Sequence, residues 1–325
     1  MEPAPNGATD VPEAVADTLA GEIKSRLLDP SPSVADLALV APLRAEVESP
    51  LRQLASIPAE IAASDPLRVS KAALANVHAC EERFLIEEPF QWSIASARGT
   101  VAHVAIRHWL YAPHSTDRLV ERAISWLVEN DAGVGDYLKQ LDVFSLGELV
   151  QRANWTLHAF ASNWPKDVSV RPVIPEHRMS MGLLGRRVVV SGSADIALGQ
   201  PTRTTTGVER RRILLELKTG GMYFEEHRHD SFLYALLETV STRVAPIRVA
   251  TWYLDSGELL VDEVSEAVLF SAARRLGDGI AKIADLRFGR RVPDRKSGWR
   301  CDFCPLVRDC SEGLERSRIR AARRQ

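Results

Sequence analysis

Cysteine is scarce in this chain, with four among 325 residues, too few and too unevenly spread for a disulfide-dense secreted domain. No apolar run approaches the roughly 18 residues of a membrane-spanning helix. Neither sign of charge is in excess: 41 Lys and Arg face 43 Asp and Glu, for a formal net charge of −2. A nucleic-acid surface would therefore have to be a local patch, because the total provides none. There is no Gly-x-x-x-x-Gly-Lys-Ser/Thr phosphate loop, which excludes a nucleotide-driven motor of that type within this chain. There is also no internal repeat. Residues 1–10 are acidic and Pro-rich and lack the basic-then-apolar layout of a secretory signal. With so few cysteines, this start leads us to expect a reducing, cytoplasmic setting and no membrane. What the chain does have is 45% hydrophobic and 26% charged residues. That is enough for a sizeable buried core and unlike a collagen or a disordered chain.

Residues 1–32, rich in Ala, Pro, Asp and Glu, read as a disordered lead-in with one short helix over 15–28. Residues 33–164 read as helical, punctuated by Pro42, Pro50, Pro58, Pro66 and Pro89. Leu119, Val120, Ala123, Ile124, Leu127 and Val128 form one stripe at helical spacing. Trp92, Trp109, Trp126, Trp155 and Trp164 fall in this half and read as core. From 165 to 290 the pattern changes. Strands are predicted at 187–198 and 212–219 with a polar, Thr-rich loop between them, and a hairpin at 247–264 turns at Asp255-Ser256-Gly257. Helices over 225–240 and 266–286 interleave with them, which makes this an α/β unit. Residues 291–315 carry three cysteines, and 316–325 form a basic tail.

Within that unit, Glu216 and Lys218 stand two apart on a strand, so both leave the same face while Leu217 packs on the other. Asp195, in Gly192-Ser193-Ala194-Asp195-Ile196, lies on the preceding strand, and strand pairing would bring it near Glu216. Two carboxylates so placed are hard oxygen ligands suited to Mg²⁺ or Mn²⁺. An adjacent ammonium orients water and stabilises developing negative charge. These are the parts of metal-assisted phosphodiester hydrolysis. The plainer alternative, a surface Glu–Lys pair beside a turn Asp, fits poorly with charges at the end of a buried strand.

Cys301-x-x-Cys304-x5-Cys310 has metal-type spacing, and three thiolates need a fourth ligand. Cys80 and His78 are both candidates, and spacing does not separate zinc from an iron–sulfur cluster. Arg287, Arg290, Arg291, Arg295, Lys296 and Arg300 lead into this cluster with Trp299 among them. They read as a phosphate-tracking groove with Trp299 as a stacking platform. Arg210-Arg211-Arg212 reads equally as a lining of the same cleft or as a solvated strand entry.

Gly-x-x-Asp-Ile followed by Leu-Glu-Leu-Lys-Thr-Gly resembles the active-site signature of the PD-(D/E)XK nucleases, in their RecB-like branch. Gly99-Thr100-Val101-Ala102-His103 is similar to the upstream Gly-x-x-x-His motif of that branch. Its Gln-x-x-x-Tyr motif corresponds to Asp230-Ser231-Phe232-Leu233-Tyr234, with Tyr kept and Gln replaced by an acid that cannot donate as an amide does. The segment from Val69-Ser70-Lys71 to Cys80-Glu81 looks like the family's opening segment, with Glu81 where Pro is usual. One cysteine before the Gly-x-x-x-His helix and three after the core mark the subgroup containing AddB-type repair nucleases and CRISPR-associated exonucleases. Together the motifs span residues 68–312.

The resemblance implies a mixed sheet flanked by helices, with a helical N-terminal region and a C-terminal cysteine segment. It implies His103, Asp195, Glu216 and the Leu217 carbonyl as ligands of Mg²⁺ or Mn²⁺, Lys218 as the residue that positions water, and Tyr234 as a substrate contact. It also implies a [4Fe–4S] cluster, or less fittingly zinc, on Cys80, Cys301, Cys304 and Cys310. The expected activity is a metal-dependent nuclease, an exonuclease on single-stranded DNA or DNA ends. A separate helicase, repair or CRISPR partner would supply any unwinding. The competing expectation is a catalytically weak, nuclease-like subunit for DNA binding or assembly.

Overall fold

Residues 188–190, 196–198 and 213–215 are apolar on both sides of the alternation, the pattern of strands covered above and below. The computed structural model describes residues 20–28, 33–53, 61–86, 90–112, 115–165 and 170–322. In chain order it has β1 (Ser33–Val34), α1 (Val40–Gln53), β2 (Leu67–Ser70), α2 (Lys71–Ala79), α3 (Ile94–Tyr111), α4 (Leu119–Asn130), α5 (Ala132–Gln140) and α6 (Val143–Asn163). Next come β3 (Val173–Leu183), β4 (Val188–Leu198), β5 (Thr202–Thr204), β6 (Gly207–Arg210), β7 (Ile213–Lys218) and α7 (Phe224–Thr242). The chain closes with β8 (Arg248–Tyr253), β9 (Glu258–Glu263), α8 (Glu266–Arg287) and α9 (Ser311–Ala322).

The main sheet is mixed and runs β2-β4-β7-β8-β9, with β3 also on β4. β3 follows the full length of β4 on one edge, from Leu183↔Val188 to Val173↔Leu198. The other edge is shared. β2 pairs parallel with Val188 to Ser191, and β7 pairs antiparallel with Ile196 to Leu198. Among the described residues, 192–195 of β4 therefore have no strand partner on that side, and the C-terminal ends of β2 and β7 point at one another across the gap.

Helices cover both faces. Leu43 and Val47 of α1, Leu236 and Leu237 of α7 and Leu276 and Ile280 of α8 pack with Val190 and Leu214. Val101 of α3, Leu127 of α4 and Phe160 of α6 pack on the other face with Leu215, Leu217 and Trp252. Alternation along β7 thus puts Glu216 and Lys218 on the Leu214 face, toward α7. Along β4 the alternation slips: Val190 and Ala194 belong to the first core but Ile196 and Leu198 to the second. Strict period two would keep Ala194 and Ile196 together. The slip falls at Asp195, opposite Glu176, whose φ of 51° is left-handed.

The helices and strands expected after residue 165 are present, and three expectations are corrected. The stretch 33–164 includes strands, because Leu67-Arg68-Val69-Ser70 alternates buried and exposed and joins β4. Part of the lead-in is packed: over 20–28, Ile23 and Leu27 are fully buried, and Arg248 Nη1 donates to the Arg26 carbonyl at 2.6 Å. The remainder of that lead-in lies outside the described residues. The Thr-rich loop is a hairpin, β5 on β6, with β1 added to its edge. No helix among the described residues is long and apolar enough to cross a membrane.

α7 is fixed to the sheet by a buried ion network. Glu238 accepts from Arg212 Nε at 3.0 Å and His177 Nε2 at 2.7 Å. Removing one partner of such a group leaves uncompensated buried charge. Glu238→Ala is expected to lower the unfolding free energy by about 3–5 kcal/mol, measurable as a shift of the urea midpoint at unchanged slope.

Candidate active site

The gap in the sheet is where the charged residues converge. β7 leaves its ladder after Leu215, so the Leu217 N–H has no β4 carbonyl opposite and instead donates to Asp195 Oδ2 at 2.7 Å. His103 Nδ1 lies 3.1 Å from Asp195 Oδ1. It is delivered by α3, whose first turn is closed by a Ser93–Ser96 capping box. Arg98 ties α3 to the strand end by donating to the Thr219 carbonyl at 2.8 Å and Asp255 Oδ2 at 2.7 Å. Gly99 permits this approach, since a Cβ there would lie 2.8 Å from Thr219 Oγ1.

Glu216 is buried and its Oε1 accepts from two ammoniums, Lys218 Nζ at 2.8 Å and Lys71 Nζ at 2.7 Å. Glu216 Oε2 is buried with no hydrogen-bond partner. Lys71 is the first residue of α2, at the end of β2, and also lies 3.7 Å from Asp230 Oδ2 and 5.0 Å from the Tyr234 ring centre. The Tyr234 ring is buried against Gly192, where a Cβ would lie 2.6 Å from its edge. Tyr234 is thus at the site, but its contacts are Lys71 and Gly192, not an open strand path. His227, on the same helix, is engaged by the Tyr253 hydroxyl at 2.8 Å.

The electrostatics follow from this crowding. Burial pushes the Asp195 carboxyl up, but His103, the Leu217 N–H and Lys218 outweigh it and hold the group at about 2. Burial opposes the charged forms of His103 and Lys71 as well. The carboxylates of Asp195 and Glu216, respectively, more than offset it, and both bases are raised. Burial dominates at Asp230 and lifts it to about 6 against the pull of Lys71 and Lys218.

Sequence reasoning found His103, Asp195, Glu216 and Lys218, and it missed Lys71. The signal available was the alternation of Leu67-Arg68-Val69-Ser70 ending in a helix-capping serine. Among the described residues, no three His, Cys, Asp or Glu side chains are drawn together closely enough, as placed, to form a metal-ligand group. The acids and His103 face each other and the two lysines.

The four cysteines are free thiols that line one cavity of about 160 Å³, beside Lys296, Trp299 and Val307. The segment bearing three of them is held to the turn after Cys80 by buried Glu81. That residue accepts from Arg291 Nε at 2.6 Å and the Asp294 N–H at 3.1 Å. Arg295 pairs with Glu82, and Arg300 with Glu226 and the Asn76 side chain. Trp299 stacks on Tyr223 at 4.3 Å, has the Arg300 guanidinium over its ring and donates to Glu226. Four residues expected to track phosphate, Arg291, Arg295, Trp299 and Arg300, are thus spent on anchoring this segment. Of the other basic residues there, Arg290 lies over the Phe288 ring. Arg210 donates to the carbonyls of Ala245, Pro246 and Val264, Arg211 pairs with Glu209, and Arg212 is buried on Glu238. Arg210 and Arg212 are thus spent within the fold, while Arg211 is exposed at the strand entry.

No family model and no curated protein matches the chain. Among the solved structures that the chain matches are two of low sequence identity. One is named "Putative exonuclease" from Eubacterium rectale, 11% identical over 74% of this chain and 87% of that one, with a TM-score of 0.43. The other is SSO0001, 14% identical over 82% of this chain and 95% of that one, with a TM-score of 0.30.

Because Gly192 is filled by the Tyr234 ring, Gly192→Ala is expected to destabilise the protein by about 1–3 kcal/mol. Gly147→Ala, on α6 with nothing near its Cβ position, is expected to be neutral or stabilising by up to about 1 kcal/mol. Thermal unfolding of the two variants in parallel measures both.

Proposed function

We propose that this protein is a divalent-cation-dependent DNA nuclease of the RecB-like PD-(D/E)XK type. Its preferred substrate would be single-stranded DNA or DNA ends, acted on with a separate partner wherever unwinding is needed. The observation that carries this reading is the convergence of Asp195, Glu216, Lys218 and His103 on a gap in the sheet, with one Glu216 oxygen buried and unpaired. An unpaired buried carboxylate oxygen is costly unless a cation or donor meets it. The residues present therefore fit Mg²⁺ or Mn²⁺ held by Asp195, Glu216, His103 and the Leu217 carbonyl. When bound, such a cation polarises a phosphodiester and acidifies water.

The chain's own groups supply the rest. His103 Nδ1 and Asp195 Oδ1 engage each other at 3.1 Å, and a cation shared by the two would take the place of that hydrogen bond. The Leu217 N–H fixes the second Asp195 oxygen, so the carboxylate stays ionised and rigid. Lys218 orients the attacking water and stabilises charge accumulating on the phosphate. Tyr234 limits how far Lys71 can swing.

We further propose that Cys80, Cys301, Cys304 and Cys310 hold a [4Fe–4S] cluster, with zinc as the alternative. What supports this is that all four free thiols face one cavity. The cluster would staple the start of the nuclease fold to its C-terminal segment.

With Mn²⁺ and end-labelled single-stranded DNA, the purified protein is expected to release labelled products. Lys218→Ala and Asp195→Ala should each lower the rate at least about 100-fold. Activity that survives both changes overturns the assignment, and tight DNA binding without cleavage in any metal favours the binding-subunit reading. An anaerobic preparation should be brown and contain iron, and Cys304→Ala should lose both. A colourless, zinc-loaded protein overturns the cluster.

A further inference from the structure

Lys71 stands apart from the residues that the reading above uses, and its surroundings give it a task of its own. It follows Ser70, the last β2 residue paired with β4, opposite Ser191. Ser70 also caps α2, its hydroxyl accepting from the Ala73 N–H at 3.2 Å. The ammonium is therefore launched from the junction of a strand and a helix, the kind of rigid support that holds a side chain in register. It enters the gap from the side opposite Lys218 and meets the same Glu216 oxygen. Its side chain is 27% exposed, against 19% for Lys218, so neither lysine is sealed from solvent.

The charge balance calls for it. Three carboxylates, Asp195, Glu216 and Asp230, converge here. Asp230 is only 13% exposed, and its ion-pair partner is Lys71. Left alone, Asp230 would repel a phosphodiester. Paired with Lys71 it is neutralised, and the Lys71 ammonium also lies over the Tyr234 ring. The result is two ammoniums from opposite strand ends on either side of Glu216.

We propose that Lys71 is a second phosphate-binding cation of this site, contacting non-bridging oxygens of the substrate strand, and that Asp230 is the residue that positions it. This rests on the nuclease reading and deepens it, assigning to β2 and α2 a direct part in holding the substrate.

The test uses the full chain in an inactive Lys218→Ala background with a fluorescent single-stranded oligonucleotide, titrated at several salt concentrations. Adding Lys71→Met should weaken binding about 10-fold or more. It should also reduce the slope of log affinity against log salt by about 0.7, the loss of one phosphate contact on a single strand. In the otherwise unaltered chain, Lys71→Met should raise KM and lower kcat/KM, whereas Lys71→Arg should restore most of the loss. Asp230→Asn should keep the salt slope but lower kcat. An unchanged salt slope in Lys71→Met, with a lowered unfolding midpoint and no rescue by Arg, makes Lys71 a counter-charge for Glu216 only and overturns the proposal. A parent chain that neither binds nor cuts DNA overturns the nuclease reading and this inference together. A parent that cuts with Lys71 indifferent overturns this inference alone.

Discussion

Between Ser191 and Ile196 one edge of β4 has no strand beside it among the described residues, and the arrangement of the site follows from that interruption. Had β7 continued its ladder, its backbone would have been consumed by β4, leaving no room between the strands for side chains. Because it leaves after Leu215, the Leu217 N–H must find another acceptor, as buried backbone donors do, and the Asp195 carboxylate supplies one. The same opening admits the Tyr234 ring at Gly192 and the Lys71 side chain from the end of β2. The slipped alternation at Asp195 and the left-handed Glu176 opposite it belong to the same local departure from regular pleating. Such departures are common beside functional sites, where they re-aim one side chain.

A gap of this kind needs rigid surroundings, and two buried ionic networks flank it. One joins Glu238, Arg212 and His177 one helical turn beyond Tyr234, fastening α7 to β7 and β3. The other joins Glu81 to Arg291 and the Asp294 backbone at the turn after α2. Neither is a strong source of stability when weighed against apolar packing of equal volume. Each does fix the relative position of elements far apart in sequence, with little tolerance for slippage, because a half-satisfied buried ion is so unfavourable.

Much of this was legible in the sequence where the signal is local. Interleaved strand and helix patterns after residue 165 announced an α/β unit, and period two placed Glu216 and Lys218 on one face without any knowledge of the fold. His103 was legible only through its Gly-x-x-x-His pattern. The structure supplies the reason for the Gly, which is the approach of Thr219. Non-local pairing could not be read. Lys71 meets Glu216 across 145 positions of sequence, and Asp230 read as a misplaced acid because its partner lies on another helix. The basic residues of 287–300 read as a phosphate track because the acids that Arg291, Arg295 and Arg300 meet, Glu81, Glu82 and Glu226, lie elsewhere in the chain. Residues 20–28 read as loose because composition says nothing of the Arg248 side chain that receives them.

The cavity lined by Cys80, Cys301, Cys304 and Cys310 joins segments that lie far apart in the sequence. Contacts across such separations form late, after the local and intermediate ones have bent the chain into place. Anything that requires all four thiols can enter only once α2 is seated on the sheet and the segment before α9 has folded back over the turn at Glu81. On the proposal that a cluster fills this cavity, its insertion would depend on both segments having met.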